Sequence, residues 1–314
     1  MNKIVTFSQA VNDRKLPELR SNDKANAPEL YKPSPQLWQA VTVALELGLP
    51  LLLTGEPGTG KTDLANYIAW YFHLGKPLVF DAQTTSSARD LFYRYDALAH
   101  FQYAQTSKEA LSPDEVEEKF IEPVALGRAI KNGERRVVLL DEIDKAPRDL
   151  PNNLLAALDK LTFSVPETGD PKTYTFSAPE ERRPVIILTS NSEKGLPDPF
   201  LRRVAFFDIK FPGKDELLRI LADKLDHFSD LDAERTLDLF EGIRKGNWGV
   251  LNKIPSTAEL LHWSAALLKL KVDTSRLDNP GSLGSDQKQL LGHSLSVLAK
   301  TRNDLKTLRE ALGL

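Results

Sequence analysis

The sequence predicts an α/β protein in which helices flank a parallel sheet, followed by an all-helical domain at the carboxyl end. Short apolar segments alternate with segments of helical periodicity from residue 36 to about 191. A glycine-rich turn joins one of these strands to the next helix. After Pro212 no strand pattern follows, and apolar residues recur at spacings of three and four. Alternation of this kind favours a parallel sheet that is covered on both faces.

Composition limits the class of protein. The chain has 314 residues with 41 Lys+Arg, 44 Asp+Glu and a net charge of −3, typical of a globular protein of about two domains. The absence of cysteine excludes Cys-ligated zinc, iron–sulfur clusters, thiol catalysis and disulfides. No apolar run is typical of a signal peptide or membrane span, so we expect a cytoplasmic protein without membrane association. The balanced charge lacks the excess of basic residues that is typical of a dedicated nucleic-acid binder.

The elements follow in a regular order. Strands are predicted at 50–55, 76–82, 135–142 and 183–191, and helices at 36–47, 63–74, 124–133 and 150–161. Five further helices are predicted at 214–228, 232–246, 256–272, 286–300 and 304–314. We therefore divide the chain into an amino-terminal arm or linker (1–29), an α/β core (30–212) and a helical domain (213–314). A hairpin is predicted at about 161–183, before the last core strand.

The most specific motif is GEPGTGKT at residues 55–62, which fits the phosphate-binding P-loop. An apolar strand precedes it and an amphipathic helix follows, so backbone amides at the helix start would face a bound polyphosphate. Lys61 would reach the β- and γ-phosphates, and the Thr62 hydroxyl would ligate Mg²⁺. A plain glycine-rich turn is the alternative. The predicted nucleotide-binding residues here are Gly55, Glu56, Pro57, Gly58, Thr59, Gly60, Lys61, Thr62 and Asp63.

A second motif, VVLLDE at residues 137–142, places two carboxylates at the end of a buried strand. Asp141 follows Lys61 at a distance that allows intervening βα units to bring the two strands side by side. Asp141 would hold Mg²⁺ together with Thr62 and so contribute to nucleotide binding, while Glu142 would orient or deprotonate the attacking water. The alternative is an acidic pair that only meets solvent.

The motifs GEPGTGKT, LLDEIDKAP, ILTSN and LPDPFLRR follow one another as in AAA+ ATPases, and the chain resembles the MoxR-like, dynein-related bacterial branch over about residues 30–265. The resemblance implies a P-loop core with a helical lid. It makes Asn191 sensor 1, at a strand end next to the P-loop strand, where its amide could donate to a phosphate or water; an Asx turn is the alternative. Arg203 matches the arginine finger, with Arg202 as the reserve, although a solvated arginine pair would look the same.

The resemblance also identifies two insertions and one departure. Residues 84–105 match the family's helix-2 insert and residues 161–183 its pre-sensor hairpin, both facing the ring axis. Aromatic and basic side chains of the first insertion could grip a peptide, stack on bases or simply pack: Phe92, Tyr93, Arg94, Tyr95, Phe101 and Tyr103. At the position of the sensor 2 arginine the chain has Ala258, with Lys253 and His262 nearby, which puts fast hydrolysis in question.

The implied function is Mg²⁺-dependent ATP hydrolysis by a homo-oligomer, usually a hexameric ring. By resemblance it is coupled, as in MoxR-like chaperones, to remodelling or activating a partner protein, often one with a von Willebrand A domain. One alternative is a slowly hydrolysing ATP-dependent switch or scaffold in a signalling or defence complex. Another is a nucleic-acid-stimulated NTPase motor subunit, although the sequence contains no base-reading motif to support it.

Overall fold

A computed structural model describes residues 27–107, 111–147, 149–169, 172–175, 180–192 and 196–314 of the chain. It contains two compact units, one comprising Tyr31–Lys210 and the other containing Phe211–Leu314. Most of the predicted arm, residues 1–26, lies outside the described residues, and Pro28–Leu30 forms a 3₁₀ turn. Each unit is built around its own apolar core.

The first unit contains nine described strands and seven described helices. The strands are β1 (Leu51–Gly55), β2 (Leu78–Asp81), β3 (Tyr93–Tyr95), β4 (Ile121–Pro123), β5 (Val137–Asp141), β6 (Thr162–Val165), β7 (Lys172–Thr175), β8 (Val185–Thr189) and β9 (Ala205–Ile209). The helices are α1 (Pro35–Leu47), α2 (Lys61–Tyr71), α3 (Ala97–Thr106), α4 (Pro113–Phe120), α5 (Ala125–Asn132), α6 (Asp149–Lys160) and α7 (Asp198–Leu201).

Five strands form one parallel sheet in the order β2-β5-β8-β1-β9. This confirms the predicted α/β class with a parallel sheet flanked by helices. The expectation that the strand before the P-loop and the strand before Asp141 lie side by side is wrong, because β8 pairs with β1 through Leu52↔Leu188 and with β5 through Leu140↔Leu188. After β1 the chain crosses to β2, which is one edge strand of the sheet. The next two strands of the sheet, β5 and β8, lie between β2 and β1. Strand β9 at the other edge was not predicted.

Both faces of the sheet are covered, which explains the apolar strands. Alternate strand side chains point to opposite faces. Buried residues on one face, packed with residues of α5 and α6, include Leu52, Val138, Leu140, Ile186 and Leu188. Buried residues on the other face, packed with residues of α1 and α2, include Leu51, Leu53, Val137, Leu139 and Ile187. At about 25 cal/mol per Å² of buried apolar surface, these two layers supply the main driving force that holds the sheet in place.

The predicted helix-2 insertion forms a longer structure than residues 84–105. Strands β3 and β4 pair antiparallel, with Tyr93 opposite Pro123, and α3 and α4 lie between them in the chain. Helix α4 begins at a capping box in which Ser112 and Glu115 bond each other's backbone amides. Helix α5 then packs so closely that a Cβ on Gly127 would lie 1.9 Å from the Phe92 carbonyl oxygen.

In the segment of the predicted hairpin, β6 and β7 pair antiparallel with Thr162 opposite Thr175. This hairpin contacts the first insertion. The Phe163 ring stacks on the Phe92 ring at 5.1 Å between centroids. The Glu167 carboxylate accepts hydrogen bonds from the Tyr93 hydroxyl (2.6 Å) and from the Arg89 guanidinium (3.0 Å). The two insertions are therefore packed together in the folded chain.

The second unit contains helices only among its described residues: α8 (Lys214–Lys224), α9 (Asp230–Arg244), α10 (Thr257–Leu270), α11 (Ser285–Ser294) and α12 (Arg302–Leu312). Trp263 lies fully buried in its core and donates a 2.9 Å hydrogen bond to the Ser294 hydroxyl. Ser256 and Glu259 form a capping box at the start of α10. Within the described part of the chain, every helix is too short or too polar to cross a bilayer.

Candidate functional site

The P-loop follows β1 at the carboxyl edge of the sheet and leads directly into α2. Gly60 is the N-cap of α2 with φ 83°, and because glycine has no side chain it supplies no capping oxygen to the first amides of the helix. Gly55 also has a positive φ, and a Cβ there would lie 2.4 Å from the Ile209 carbonyl oxygen. Glycine is therefore required at Gly55 for the loop to pass β9. An uncapped helix start of this kind suits an anion.

Lys61 is the first residue of α2 and its side chain turns back into the P-loop. Its ammonium group donates to the carbonyl oxygens of Gly55 (2.7 Å) and Glu56 (3.0 Å) and to Asn191 Oδ1 (3.0 Å). Lys61 is only 8% exposed. Burial lowers the pKa of the Lys61 ammonium group below its ordinary value, and the nearby carboxylates of Asp141, Asp144, Glu142 and Asp208 oppose this shift.

Thr62 and Asp141 come together across the sheet edge. The Thr62 hydroxyl lies 3.2 Å from both carboxylate oxygens of Asp141. Asp141 is the last residue of β5, so its side chain projects at the same edge as the P-loop. This hydroxyl and carboxylate fit Mg²⁺, which proteins usually bind through one or two such oxygen ligands together with substrate phosphates and water. Across the described residues, no cluster of three or more His, Cys, Asp or Glu side chains forms an all-protein metal cage.

Glu142 follows β5 in a left-handed conformation, with φ 53°. Its backbone amide donates a 2.9 Å hydrogen bond to the Thr189 hydroxyl. Its carboxylate forms an ion pair with Lys145 and lies 3.5 Å from Asn191 Nδ2. The hydrogen bond to Glu142 raises the pKa of the exposed Lys145 ammonium group. Glu142 thus lies in the same group of polar side chains as Lys61 and Asn191.

Asn191 follows β8 and connects the P-loop to the acidic residues. Besides accepting from Lys61, it donates from its backbone amide to Asp144 Oδ1 at 3.3 Å. Because β8 pairs directly with β1, the expected neighbourhood of Asn191 and the P-loop is observed. A cation, a strand-end carboxylate, a second carboxylate and an amide therefore meet beside an uncapped helix start, an arrangement that can bind and polarise a polyphosphate.

Comparison with known proteins agrees with this geometry. Residues 50–204 match the family described as AAA domain (dynein-related subfamily). This segment of the chain is therefore assigned to an AAA domain. The chain shares the fold of AAA+ P-loop NTPases, with the five-stranded parallel sheet described above and a helical carboxyl-terminal region. The MoxR-like branch remains a prediction. Comparison with curated protein sequences gave no match.

Solved structures similar to this chain include two of RuvB from Thermotoga maritima, one a point variant and one described as the Holliday junction branch migration motor. Each is 14% identical in sequence, and each alignment covers 89% of this chain and 70% of the RuvB chain. The TM-scores are 0.42 and 0.41.

Arg203 lies at the amino ends of the sheet strands, whereas the P-loop lies at their carboxyl ends. Strands β1 and β9 run parallel, with Leu51 opposite Ala205 and Gly55 opposite Ile209. Arg203 precedes β9, and the four residue steps from Ala205 to Ile209 span about 13 Å at 3.3 Å per residue, so at least this length separates the level of Arg203 from that of the P-loop. Its guanidinium is about half exposed and pairs with Asp159 at 3.6 Å. It lines a cavity of about 440 Å³ at the amino ends of β1 and β8, and the neighbouring Arg202 is exposed.

The remaining predicted positions of the AAA-domain chain divide between core and surface. Phe92 and Tyr93 are buried, while Phe101 is 62% exposed on α3. The positions considered for the sensor 2 role, Lys253, Ala258 and His262, all have exposed side chains in the helical unit. The remaining P-loop residues Glu56, Pro57 and Gly58 are exposed, Thr59 is buried and Asp63 lies in the first turn of α2.

Sequence reasoning missed two polar residues of the AAA domain. Thr189, at the end of β8, bonds both Asp141 and the amide of Glu142. Asp208, on β9, accepts a 2.9 Å hydrogen bond from the Thr54 hydroxyl immediately before the P-loop. Thr189 stands two residues before Asn191 in the motif ILTSN, so its position in a strand that ends at the site was the available signal.

Proposed function

We propose that this chain is a Mg²⁺-dependent ATPase whose active site lies at the carboxyl edge of the sheet. The observation that carries the proposal is the meeting of Lys61, the Thr62–Asp141 pair, Glu142 and Asn191 at the uncapped start of α2. These residues lie in α2, at or just after the end of β5, and just after β8. Ligands of open α/β sheets bind outside the carboxyl ends of the strands, which is where this group lies.

The side chains suggest a division of labour. Lys61 would exchange its carbonyl partners for phosphate oxygens and offset their charge. Thr62 and Asp141 would hold Mg²⁺, which when bound neutralises negative charge on the phosphates. Glu142 would accept the proton of the attacking water or orient it, and Asn191 would donate to that water or to a phosphate from its amide.

The proposed site is completed by a second copy of the chain. Arg203 lies at the amino ends of the sheet strands, too far from its own P-loop to stabilise a phosphate there. A guanidinium suits the role of an arginine finger because it stays charged and binds two phosphate oxygens at once. A second copy placed head to tail would bring Arg203 to the neighbouring P-loop, and such contacts close into rings. We propose a hexamer, with Arg202 as the reserve finger.

The work driven by ATP would be the remodelling of a partner protein, as in MoxR-like chaperones. The joined insertions support this proposal, because they present exposed apolar side chains such as Leu98 (66% exposed) and Phe101 on α3. Leu98 and Phe101 are three residues apart and so lie on one face of α3, and a contiguous exposed apolar face is typical of a protein-interaction site. The client would be a folded partner, with a von Willebrand A domain as the first candidate.

The test is the Glu142→Gln variant, with Glu118→Gln as its matched control because Glu118 is an exposed glutamate on α4. Glu142→Gln should bind ATP as the unaltered chain does and lose turnover by at least about a hundredfold, since a positioned general base contributes 10²- to 10⁴-fold. Glu118→Gln should hydrolyse normally. Turnover per subunit should rise with protein concentration if sites form between copies. Equal rates in the Glu142→Gln and unaltered proteins would overturn the assignment.

A slowly hydrolysing ATP switch is the second candidate, and two observations favour it. Ala258 offers no charge where the resemblance places an arginine, and Lys145 pairs with the carboxylate of Glu142. For a switch we expect tight ATP binding with near-background turnover at every protein concentration. Addition of a partner protein would then raise the rate, whereas a motor hydrolyses steadily once assembled.

A further inference from the structure

Thr189 is a buried polar residue at the carboxyl end of the central strand of the sheet, and nothing in the predicted chemistry uses it. It is the last residue of β8, its exposure is 0%, and it stands opposite Leu53 of β1. On its other side β8 pairs with β5, the strand that ends at Asp141. Thr189 therefore lies between the strand that carries the P-loop and the strand that carries the two carboxylates.

The Thr189 hydroxyl makes two hydrogen bonds whose directions are fixed by chemistry. It donates to Asp141 Oδ1, because an ionised carboxylate can only accept. It accepts from the backbone amide of Glu142 at 2.9 Å, because an amide N–H can only donate. One oxygen atom thus sets both the rotation of the Asp141 carboxylate and the direction of the peptide that follows it.

Both contacts matter for the proposed roles of the carboxylates. Asp141 is shared between Thr189 and Thr62, whose hydroxyl lies 3.2 Å from both Asp141 oxygens. Glu142 has a φ of 53°, an unfavourable conformation for a residue with a side chain, which needs support from its surroundings. The hydrogen bond to Thr189 provides that support at the amide of the strained residue.

We propose that Thr189 is a positioning residue that holds Asp141 in the orientation for Mg²⁺ and keeps Glu142 in the backbone conformation that points its carboxylate into the site. The proposal rests on the proposed ATPase function. In this role Thr189 acts through the two carboxylates and would itself contact neither Mg²⁺ nor nucleotide. Its hydroxyl, rather than its size, carries the role.

The matched variants are Thr189→Val, which keeps the shape and loses the hydroxyl, and Thr189→Ser, which keeps the hydroxyl. Loss of a hydrogen bond to a metal ligand typically costs 10- to 100-fold in metal affinity or activity. We expect Thr189→Val to lower kcat by about 10- to 100-fold and to raise the Mg²⁺ concentration for half-maximal activity, with a smaller change in KM for ATP. Thr189→Ser should stay within about threefold of the unaltered protein in each quantity.

A second readout does not depend on hydrolysis. The affinity for a fluorescent ATP analogue is measured with Mg²⁺ and with EDTA, together with the thermal unfolding midpoint of each variant. Thr189→Val should lose most of the gain in affinity that Mg²⁺ gives and retain its affinity in EDTA. If Thr189→Val is poorly folded, Thr189→Ala provides the same test, because it removes the hydroxyl without adding a methyl group beside a carboxylate.

The outcomes separate the two proposals. Absence of turnover in the unaltered chain would count against the ATPase function, and the Mg²⁺-dependent gain in nucleotide affinity would still test Thr189. Normal turnover in the unaltered chain with equal kcat, equal Mg²⁺ dependence and equal affinity in Thr189→Val would overturn the role of Thr189 and leave the ATPase proposal intact. A parallel fall in all variants, including Thr189→Ser, would also overturn it, because packing rather than the hydroxyl would then be responsible.

Discussion

The Lys61 ammonium group donates a 3.0 Å hydrogen bond to the side-chain oxygen of Asn191 and so ties the start of α2 to the end of β8. The side-chain nitrogen Nδ2 of Asn191 lies 3.5 Å from Glu142 Oε1. A phosphate that binds Lys61 must compete with this bond and with two P-loop carbonyls. In the proposed ATPase, arrival of the nucleotide would therefore alter the surroundings of Asn191 and, through it, of Glu142.

The burial of Lys61 predicts how nucleotide affinity depends on pH. Burial lowers the pKa of Lys61 in the free protein, whereas bound phosphate would favour the charged form and raise that pKa again. Affinity should therefore be full at pH values below the pKa of the free protein, and it should fall as pH rises through that pKa, by at most about tenfold per pH unit. Titrations of ADP between pH 7 and 10 measure the slope.

The control for this pH slope is Lys61→Arg. Arginine keeps its charge over this range, so affinity for ADP should be independent of pH in the variant, whatever its absolute value. A slope that is the same in the two proteins would show that another group titrates.

Arg203 and Glu142 should complement each other between subunits. Arg203→Ala and Glu142→Gln should each be inactive alone, because each lacks one half of the proposed site. In a 1:1 mixture, about a quarter of the interfaces would pair a native Glu142 with a native Arg203 in a ring of randomly mixed subunits. We expect about that fraction of the unaltered ATPase rate, measured after the subunits have exchanged.

Arg202→Ala is the matched control for that mixture, since Arg202 is an exposed arginine adjacent in the chain. Its activity should be close to normal without any complementation. If Arg202→Ala is the inactive variant and Arg203→Ala is not, the finger is Arg202. If neither Arg203→Ala nor Arg202→Ala recovers activity when mixed with Glu142→Gln, sites shared between copies through these arginines are excluded.

The bond between Tyr93 and Glu167 should couple the two insertions. Tyr93 is 2% exposed, and burial together with the adjacent Glu167 raises the pKa of its hydroxyl far above the ordinary value, so it stays protonated and donates at 2.6 Å. A double-mutant cycle with Tyr93→Phe and Glu167→Gln should give a coupling energy of about 1–2 kcal/mol in urea unfolding. Glu122→Gln, an exposed glutamate on β4, should be neutral. Purely additive effects would show that the insertions are energetically independent.

Gly127 should not tolerate alanine. The added Cβ would lie 1.9 Å from the Phe92 carbonyl oxygen, a backbone atom that cannot move without shifting β3. We expect Gly127→Ala to destabilise the fold by at least about 2 kcal/mol in chemical unfolding. Gly292→Ala is the matched control, because Gly292 also lies within a helix and no heavy atom would come closer than 3.9 Å to the new Cβ. It should leave stability unchanged or raise it by up to about 1 kcal/mol, since alanine is favoured over glycine in a helix interior. Similar losses in both variants would contradict the close packing of α5.

The sequence predicted what local patterns encode. The P-loop and the acidic pair after β5 are read from fixed residue types in short segments, and four sheet strands are read from their apolar runs. Strand β9 was not predicted because it has only five residues, which alternate between exposed and partly buried, and because it follows two arginines. The order of the sheet depends on contacts between distant segments, so the central position of β8 could not be derived from chain spacing. Thr189 could be recognised only once β8 was known to lie next to β5.

If Arg203 completes the site of a neighbouring copy, as we propose, its separation from its own P-loop by the length of a strand also sets the number of working sites in an assembly. A dimer that associates head to tail completes one active site and leaves an unpaired P-loop at one end and an unpaired Arg203 at the other. An open row of copies always has one site fewer than it has subunits. Only a closed ring pairs every P-loop with an Arg203. Measuring the maximal ATPase rate per subunit for particles with different numbers of copies therefore distinguishes a ring from an open row.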